Sequence, residues 1–174
     1  MKYLITTIAT VLLVGCEKPE PPDISLFNAA EEGDIEAVKQ HIAAGTDINQ
    51  NSFNASPALY IASLEGHYEI VKLLLANGPV VNLGFTVDGR ALSPLDSSTG
   101  QGYDKISDLL RQNGGNHGSI FGAVRAGNYE AVKDFIAAGD VNMTGYSDMG
   151  STALDKAIWN NRPKIADLLR KHGG

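Results

Sequence analysis

A chain of 174 residues, 43% hydrophobic and 20% charged, suits one ordinary soluble domain and leaves no room for two large ones. The formal net charge is −6, with 14 basic residues scattered among 20 acidic ones. That balance argues against a nucleic-acid partner, which needs a clustered Lys/Arg surface. Aromatic residues, at 7%, are few for a sheet core, and a single cysteine excludes an intramolecular disulfide.

The N-terminus reads as an address. Lys2 supplies one positive charge ahead of an apolar run from Tyr3 to Gly15. The run is shorter than the twenty or so apolar residues that span a bilayer, so it reads as a signal peptide, residues 1–15. It ends in Leu13-Val14-Gly15-Cys16, which resembles the bacterial lipobox. The resemblance implies lipid modification of Cys16 and anchoring in the cell envelope. Glu17, in place of the aspartate that retains lipoproteins at the inner membrane, favours the periplasmic side of the outer membrane. Residues 16–23, with Glu17 to Asp23 charged and proline-rich, form the expected extended tether, holding the domain about 20 Å from the lipid at ~3.1 Å per residue.

From residue 24 the chain repeats. The most regular unit is Ser56 to Asn82. In it a short helix from Ala58 to Leu64 ends at Glu65-Gly66, and a second runs from Tyr68 to Ala76 and stops at Asn77-Gly78. Val71, Leu74 and Leu75 form one apolar face. Gly66-His67, Glu69 to Leu75, Asn77-Gly78 and Val81-Asn82 resemble an ankyrin repeat, a helix pair recurring about every 33 residues. The first unit, Ser25 to Asn49, aligns with Gly33 on Gly66 and Gly45 on Gly78, both 33 residues apart, and Asn49 on Asn82.

The third unit, Leu92 to Gly115, carries Ser93-Pro94-Leu95 in the place of the family's Thr-Pro-Leu. Gly78 to Gly114 spans 36 residues, and the extra ones belong to the loop between Asn82 and Asp88. Its first helix, with Ser97, Ser98, Thr99 and Gly100, is poor in helix formers, and this repeat is expected to be locally the least stable. The fourth, Ser119 to Asn142, begins so soon after Gly114 that no finger fits, and residues 114–118 should turn tightly. In the fifth, Thr152 to Gly174, Asn161 replaces the inter-helix glycine, a residue that also enters the left-handed region.

The resemblance implies an all-α ankyrin solenoid of about five helix-turn-helix units with short hairpin loops, over residues 24–174. Approximate repeats are 24–54, 55–87, 88–118, 119–147 and 148–174. Expected core positions are Ala29, Ala62, Ala123 and Ala157 in first helices, and Val38, Val71, Val132 and Ala166 in second helices. His41, at a position filled elsewhere by Leu74, Leu110, Phe135 and Leu169, is expected to be partly exposed on the capping repeat.

No catalytic constellation emerges. His41, His67, His117 and His172 lie at unrelated phases and lack the convergence a zinc site needs. His67 is expected to bond local backbone and fix its turn. Asp140 to Gly145 matches the first half of a calcium loop, but Ser151 stands where the bidentate glutamate belongs. A calcium-dependent protein, an enzyme using carboxylates near Asp140 and Asp148, or a bare structural spacer are therefore the alternatives. No cofactor and no metal are expected.

What remains is the concave face and finger tips by which ankyrin stacks bind proteins. Carried over by position, the candidates are Phe53 and Asn54 on the first finger, Arg90 on the second, and Asp148 and Met149 on the last. Leu64, Glu65, Arg125 and Trp159 come from the ends of first helices. The expected partner is a protein, and the expected oligomeric state is a monomer. Glu31, Glu32 and Glu65 suggest basic character in what binds at that end. The broken period after Gly78 suggests a continuous groove only in the N-terminal half.

Overall fold

The structure, a computed structural model, describes residues 18–50, 56–87, 90–140 and 150–173. Among them, ten helices form five consecutive pairs. These are α1 (Leu26–Glu32) with α2 (Ile35–Ala44), α3 (Ala58–Glu65) with α4 (Tyr68–Leu75), and α5 (Pro94–Gln101) with α6 (Asp104–Gln112). They continue with α7 (Ile120–Ala126) and α8 (Tyr129–Ala137), then α9 (Ala153–Trp159) and α10 (Pro163–Lys171). The helices are short, and each first helix hands over to the second through one left-handed residue. Gly33, Gly66, Gly102 and Gly127 take this role with φ between 73° and 83°, and Asn161 does so at 51°, as its type allows.

Side chains close the exposed helix ends. Ser25 accepts from the Asn28 amide and Asp34 from that of Ala37, while Ser93 with Asp96 and Thr152 with Asp155 make reciprocal capping boxes. All eight expected core positions, from Ala29 to Ala166, are buried. Small residues in the first helices let neighbouring repeats approach closely, and α1, α3, α5, α7 and α9 stack in one unbroken row.

The long step before the third repeat is taken up by a two-stranded antiparallel hairpin, β1 (Phe85–Val87) and β2 (Arg90–Leu92), with Phe85 opposite Leu92. The Phe85 ring sits 6.3 Å from that of Tyr60, so the hairpin folds back on α3.

Residues also reach from one repeat into the next. Asn49 Oδ1 accepts the Val80 amide at 2.7 Å, and Asn82 Oδ1 accepts the Asn116 amide at 2.8 Å. His67, expected from sequence to fix its own turn, reaches the preceding repeat instead. Its Nε2 bonds Glu31 O at 2.9 Å and its ring covers Gly33, so it fastens repeat two to repeat one. Tyr103 covers Gly66 and Arg162 covers Gly127 in the same way. His41 also departs from expectation: it is 5% exposed, because its ring bonds Ile24 O at 2.8 Å and Thr46 Oγ1 at 3.1 Å. These bonds satisfy a polar ring where the other repeats carry a hydrocarbon. The Lys18 side chain lies over Gly45, so this end of the expected tether rests against repeat one.

The apolar core comes in two parts. One cluster runs from Leu26 to Leu110 through repeats one to three, and a second runs from Ile120 to Leu169 through repeats four and five. Second helices pack α2 on α4, α4 on α6 and α8 on α10, but α6 and α8 do not pack to the same extent. The seam is polar instead. Asp96, fully buried on α5, accepts from His117 Nδ1 at 2.7 Å, the Gly118 amide at 2.8 Å and the Ser93 amide at 3.0 Å. With the carboxylate accepting, the ring's proton sits on Nδ1. Gly122 lies directly against Asp96, in space that a Cβ would take.

A candidate protein-binding face

The position two residues before the inter-helix turn gives one side chain per repeat along the row of first helices: Glu31, Leu64, Gly100, Arg125 and Trp159. Glu31 is exposed and Leu64 half-buried, with Glu65 exposed beside it. Gly100 leaves a notch. The Arg125 guanidinium lies over that glycine, 2.6 Å from where a Cβ would stand, and donates to Asp96 O at 2.7 Å. Its bond to a backbone oxygen in repeat three spans the seam, so Arg125 is a brace as well as a surface cation.

In front of the notch is a cavity of about 170 Å³, bounded by Tyr60, Leu64, Leu92, Ser97, Gly100 and Arg125. Its lining is mixed, with Tyr60, Leu64 and Leu92 beside Ser97, Gln101 and one guanidinium, so both apolar and hydrogen-bonding groups are offered to a partner side chain. The row then ends at Trp159, which is 86% exposed. Its ring faces solvent.

The structure brings Leu64 and Arg125 together around one cavity, with Glu65 next to it in sequence. Trp159 occupies the far end of the same row. Arg90 begins β2 opposite Val87, away from that row in sequence phase. Phe53, Asn54, Asp148 and Met149 lie outside the described residues, as does the segment after Asp140 on which a calcium loop would depend. Because the first helices stack without interruption, the groove row crosses the seam. The first helices thus continue across the seam, whereas the tips of the fingers on which the expected limit of the groove rests lie outside the described residues.

Among the described residues no group of three or more His, Cys, Asp and Glu side chains is placed to hold a metal ion. Nor is any helix among them long and apolar enough to cross a membrane. Asp155 stands at the same place in its repeat as Asp96. Hydrogen bonds from the Thr152 amide and then the Thr152 hydroxyl hold its carboxyl below the ordinary value.

Sequence reasoning missed the Asp96–His117 pair. Ser93-Pro94-Leu95-Asp96 carries a readable capping signal, but nothing local ties it to a histidine 21 residues on.

A family model of ankyrin repeats, in three copies, matches residues 26–120, which stops at the seam. A putative ankyrin repeat protein YahD of Escherichia coli K12 is 30% identical over 158 residues, covering 83% of this chain and 77% of the relative. A bovine mitochondrial disaggregase is 28% identical across 95% of this chain but only 25% of its own length. A mouse mitochondrial glutaminase, liver isoform, is 35% identical over 51% of this chain and 14% of its own. The chain thus spans a quarter or less of these two enzyme-named relatives.

Proposed function

The chain belongs to the ankyrin repeat family, a family of protein–protein interaction modules, and from that premise we propose that it is a membrane-tethered, non-catalytic binding module of the bacterial cell envelope. Cys16 would carry the lipid, on the periplasmic side of the outer membrane, and the concave face would select a protein partner. The observation that carries the recognition half is the cavity at Gly100, lined by Tyr60, Leu64 and Leu92 together with Ser97, Gln101 and Arg125. A preformed site on packed helices takes a partner with little ordering cost, and attachment to a surface raises the effective concentration of whatever is bound there.

The experiment has two arms. A photoreactive residue at position 64 should crosslink in intact cells to a protein that the same residue at Lys72, exposed on α4, does not capture. Glu65→Arg, an exposed change beside the cavity, should weaken its co-purification while leaving the melting curve in place. Equal capture from both positions would remove the groove reading. Separately, Cys16→Ser should leave an unprocessed precursor without acyl label, and normal processing would remove the tether reading.

A further inference from the structure

Among the described residues one buried side-chain polar atom has no hydrogen-bond partner, Nε2 of His117. The other ring nitrogen is already engaged. Nδ1 carries the proton and donates it to Asp96, which makes Nε2 a bare acceptor on the edge of the ring turned from that carboxylate. The His117 side chain is 1% exposed, so bulk water does not supply the missing donor. A buried acceptor left unmet costs stability, and folded proteins keep few of them.

His117 also lines a cavity of about 380 Å³ at the seam, between the short link 114–118 and α8. That is the size of a small-molecule site. Ala131, Phe135 and Ala138 give it an apolar wall. The other ionisable groups lining it are Asp134 and Asp140, and among the described residues no basic side chain joins them. Arg111, at the facing position of α6, is paired with Asp108 at 3.0 Å, and Lys133 with Glu130 at 3.8 Å. Both stay outside the lining.

The polar groups of this cavity therefore ask for one kind of occupant. A neutral Nε2 and two carboxylates accept hydrogen bonds and donate none, and only Asn116 can serve in either role. What fits brings N–H donors and positive charge to the acceptors, and hydrocarbon to Phe135 and the two alanines. We propose that the seam cavity binds a small organic ammonium, a protonated primary amine on an apolar body, whose N–H groups bond His117 Nε2 and the carboxylates of Asp134 and Asp140. Buried Asp96 then has a second role beside joining the blocks, since it fixes the tautomer of the ring that receives the ligand. The site shares no residue with the cavity at Gly100, so it stands or falls apart from the groove.

The test titrates the full chain, held in neutral detergent micelles, with phenethylammonium chloride, followed by the ring-nitrogen NMR signals of His117 and by thermal melting. The Nε2 signal should move saturably with a Kd of about a millimolar or less while Nδ1 keeps its proton, and the melting temperature should rise with amine concentration. Phenethyl alcohol, which lacks the charge, and methylammonium, which lacks the apolar body, should each bind roughly tenfold or more weakly, and phenylacetate should not bind. Asp134→Asn should lose roughly tenfold in affinity, whereas Glu130→Gln, on the same helix but outside the cavity, should lose nothing. Asp134 is exposed, so its substitution should leave the melting curve without amine in place.

No movement of the Nε2 signal up to about ten millimolar amine overturns the proposal. Binding that leaves Nε2 unmoved, or equal affinity for phenylacetate, does the same. Tighter binding of Nα-acetyl-lysine amide than of phenethylammonium would give the cavity to a lysine of a partner protein, and also overturns it.

Discussion

Repeats one to three and repeats four and five use the same helix pair and the same turn chemistry, yet they are held together differently. Within each block, neighbouring second helices meet through hydrocarbon: by sequence phase, Ile42 faces Leu73, Leu75 faces Leu109, and Ile136 faces Leu168, all packed against the two cores. At the seam the same two positions are Arg111 and Asp134, both exposed. The row of turn residues covering the preceding glycine also lapses there. Asn128 caps its own helix through the Ala131 amide instead, and Gly102 is open among the described residues. Buried Asp96 and the Arg125 brace take over the joining. A solenoid's stability is close to a sum of repeats and nearest-neighbour interfaces, so one altered interface divides the stack without altering either half.

The largest effect should come from Asp96→Ala. It leaves the Ser93 and Gly118 amides and the His117 ring N–H buried without their acceptor, which costs about 3–5 kcal/mol. Hydrogen exchange reports on each block, and in a urea series the amides of α8 and α10 should open at a lower midpoint than those of α2 and α4. Coincident transitions with a small shift would show that the seam does not divide the molecule. Gly122→Ala, which pushes a methyl group into the Asp96 carboxylate, should act in the same direction by about 1–3 kcal/mol.

A smaller change of opposite sign should follow from making the seam like the other junctions. Arg111→Leu with Asp134→Leu puts hydrocarbon where the neighbouring interfaces already have it. Partial burial of the two side chains should add about 1–2 kcal/mol. The loss of the exposed Arg111–Asp108 pair subtracts little from that. The two sets of amides should then open in one transition. If the double variant is no more stable than the parent, the missing hydrocarbon is not what weakens the α6–α8 contact.

How much of this was legible in the sequence follows from the range of each interaction. The helix pairs, their stops at Gly66 and Gly78 and the buried Ala and Val positions depend on contacts within one repeat, which periodicity records. Asn161 in a glycine's place was readable because the turn's demand is local. His41 and His67 were misread because their partners, Ile24 and Glu31, belong to other segments, and a histidine's phase on its own helix does not disclose them. The shortened link after Gly114 announced that something changes between repeats three and four. It did not reveal that the first helices stay stacked while α6 and α8 pack less closely than the other neighbouring second helices. The Gly100 notch was read only as a weak helix, since its use depends on Arg125 arriving from the next repeat.

The smallest expected effect compares the two aspartates that hold one position in both blocks. Asp96 and Asp155 cap their helices with the same reciprocal bonds, but Asp96 is buried under His117 and Gly118 whereas Asp155 is exposed. The bonds from Thr152 depress the Asp155 carboxyl in the folded protein. A carboxyl depressed on folding adds stability that is fully present above its unfolded pKa, about 4, and is lost as pH falls through the folded value. Asp155→Asn should therefore be slightly less stable than the parent at neutral pH, with a gap that closes on the acid side of pH 4. Urea midpoints measured from neutral to acid pH check this, together with a carbon NMR titration that should find Asp155 titrating below a free aspartate. The gap should stay well below that produced by Asp96→Ala, because Asn keeps an acceptor oxygen at a cap that water also reaches, whereas Ala leaves buried donors at the seam with neither. If the two substitutions cost the same, burial of Asp96 is not what distinguishes the joint between the blocks from an ordinary helix cap.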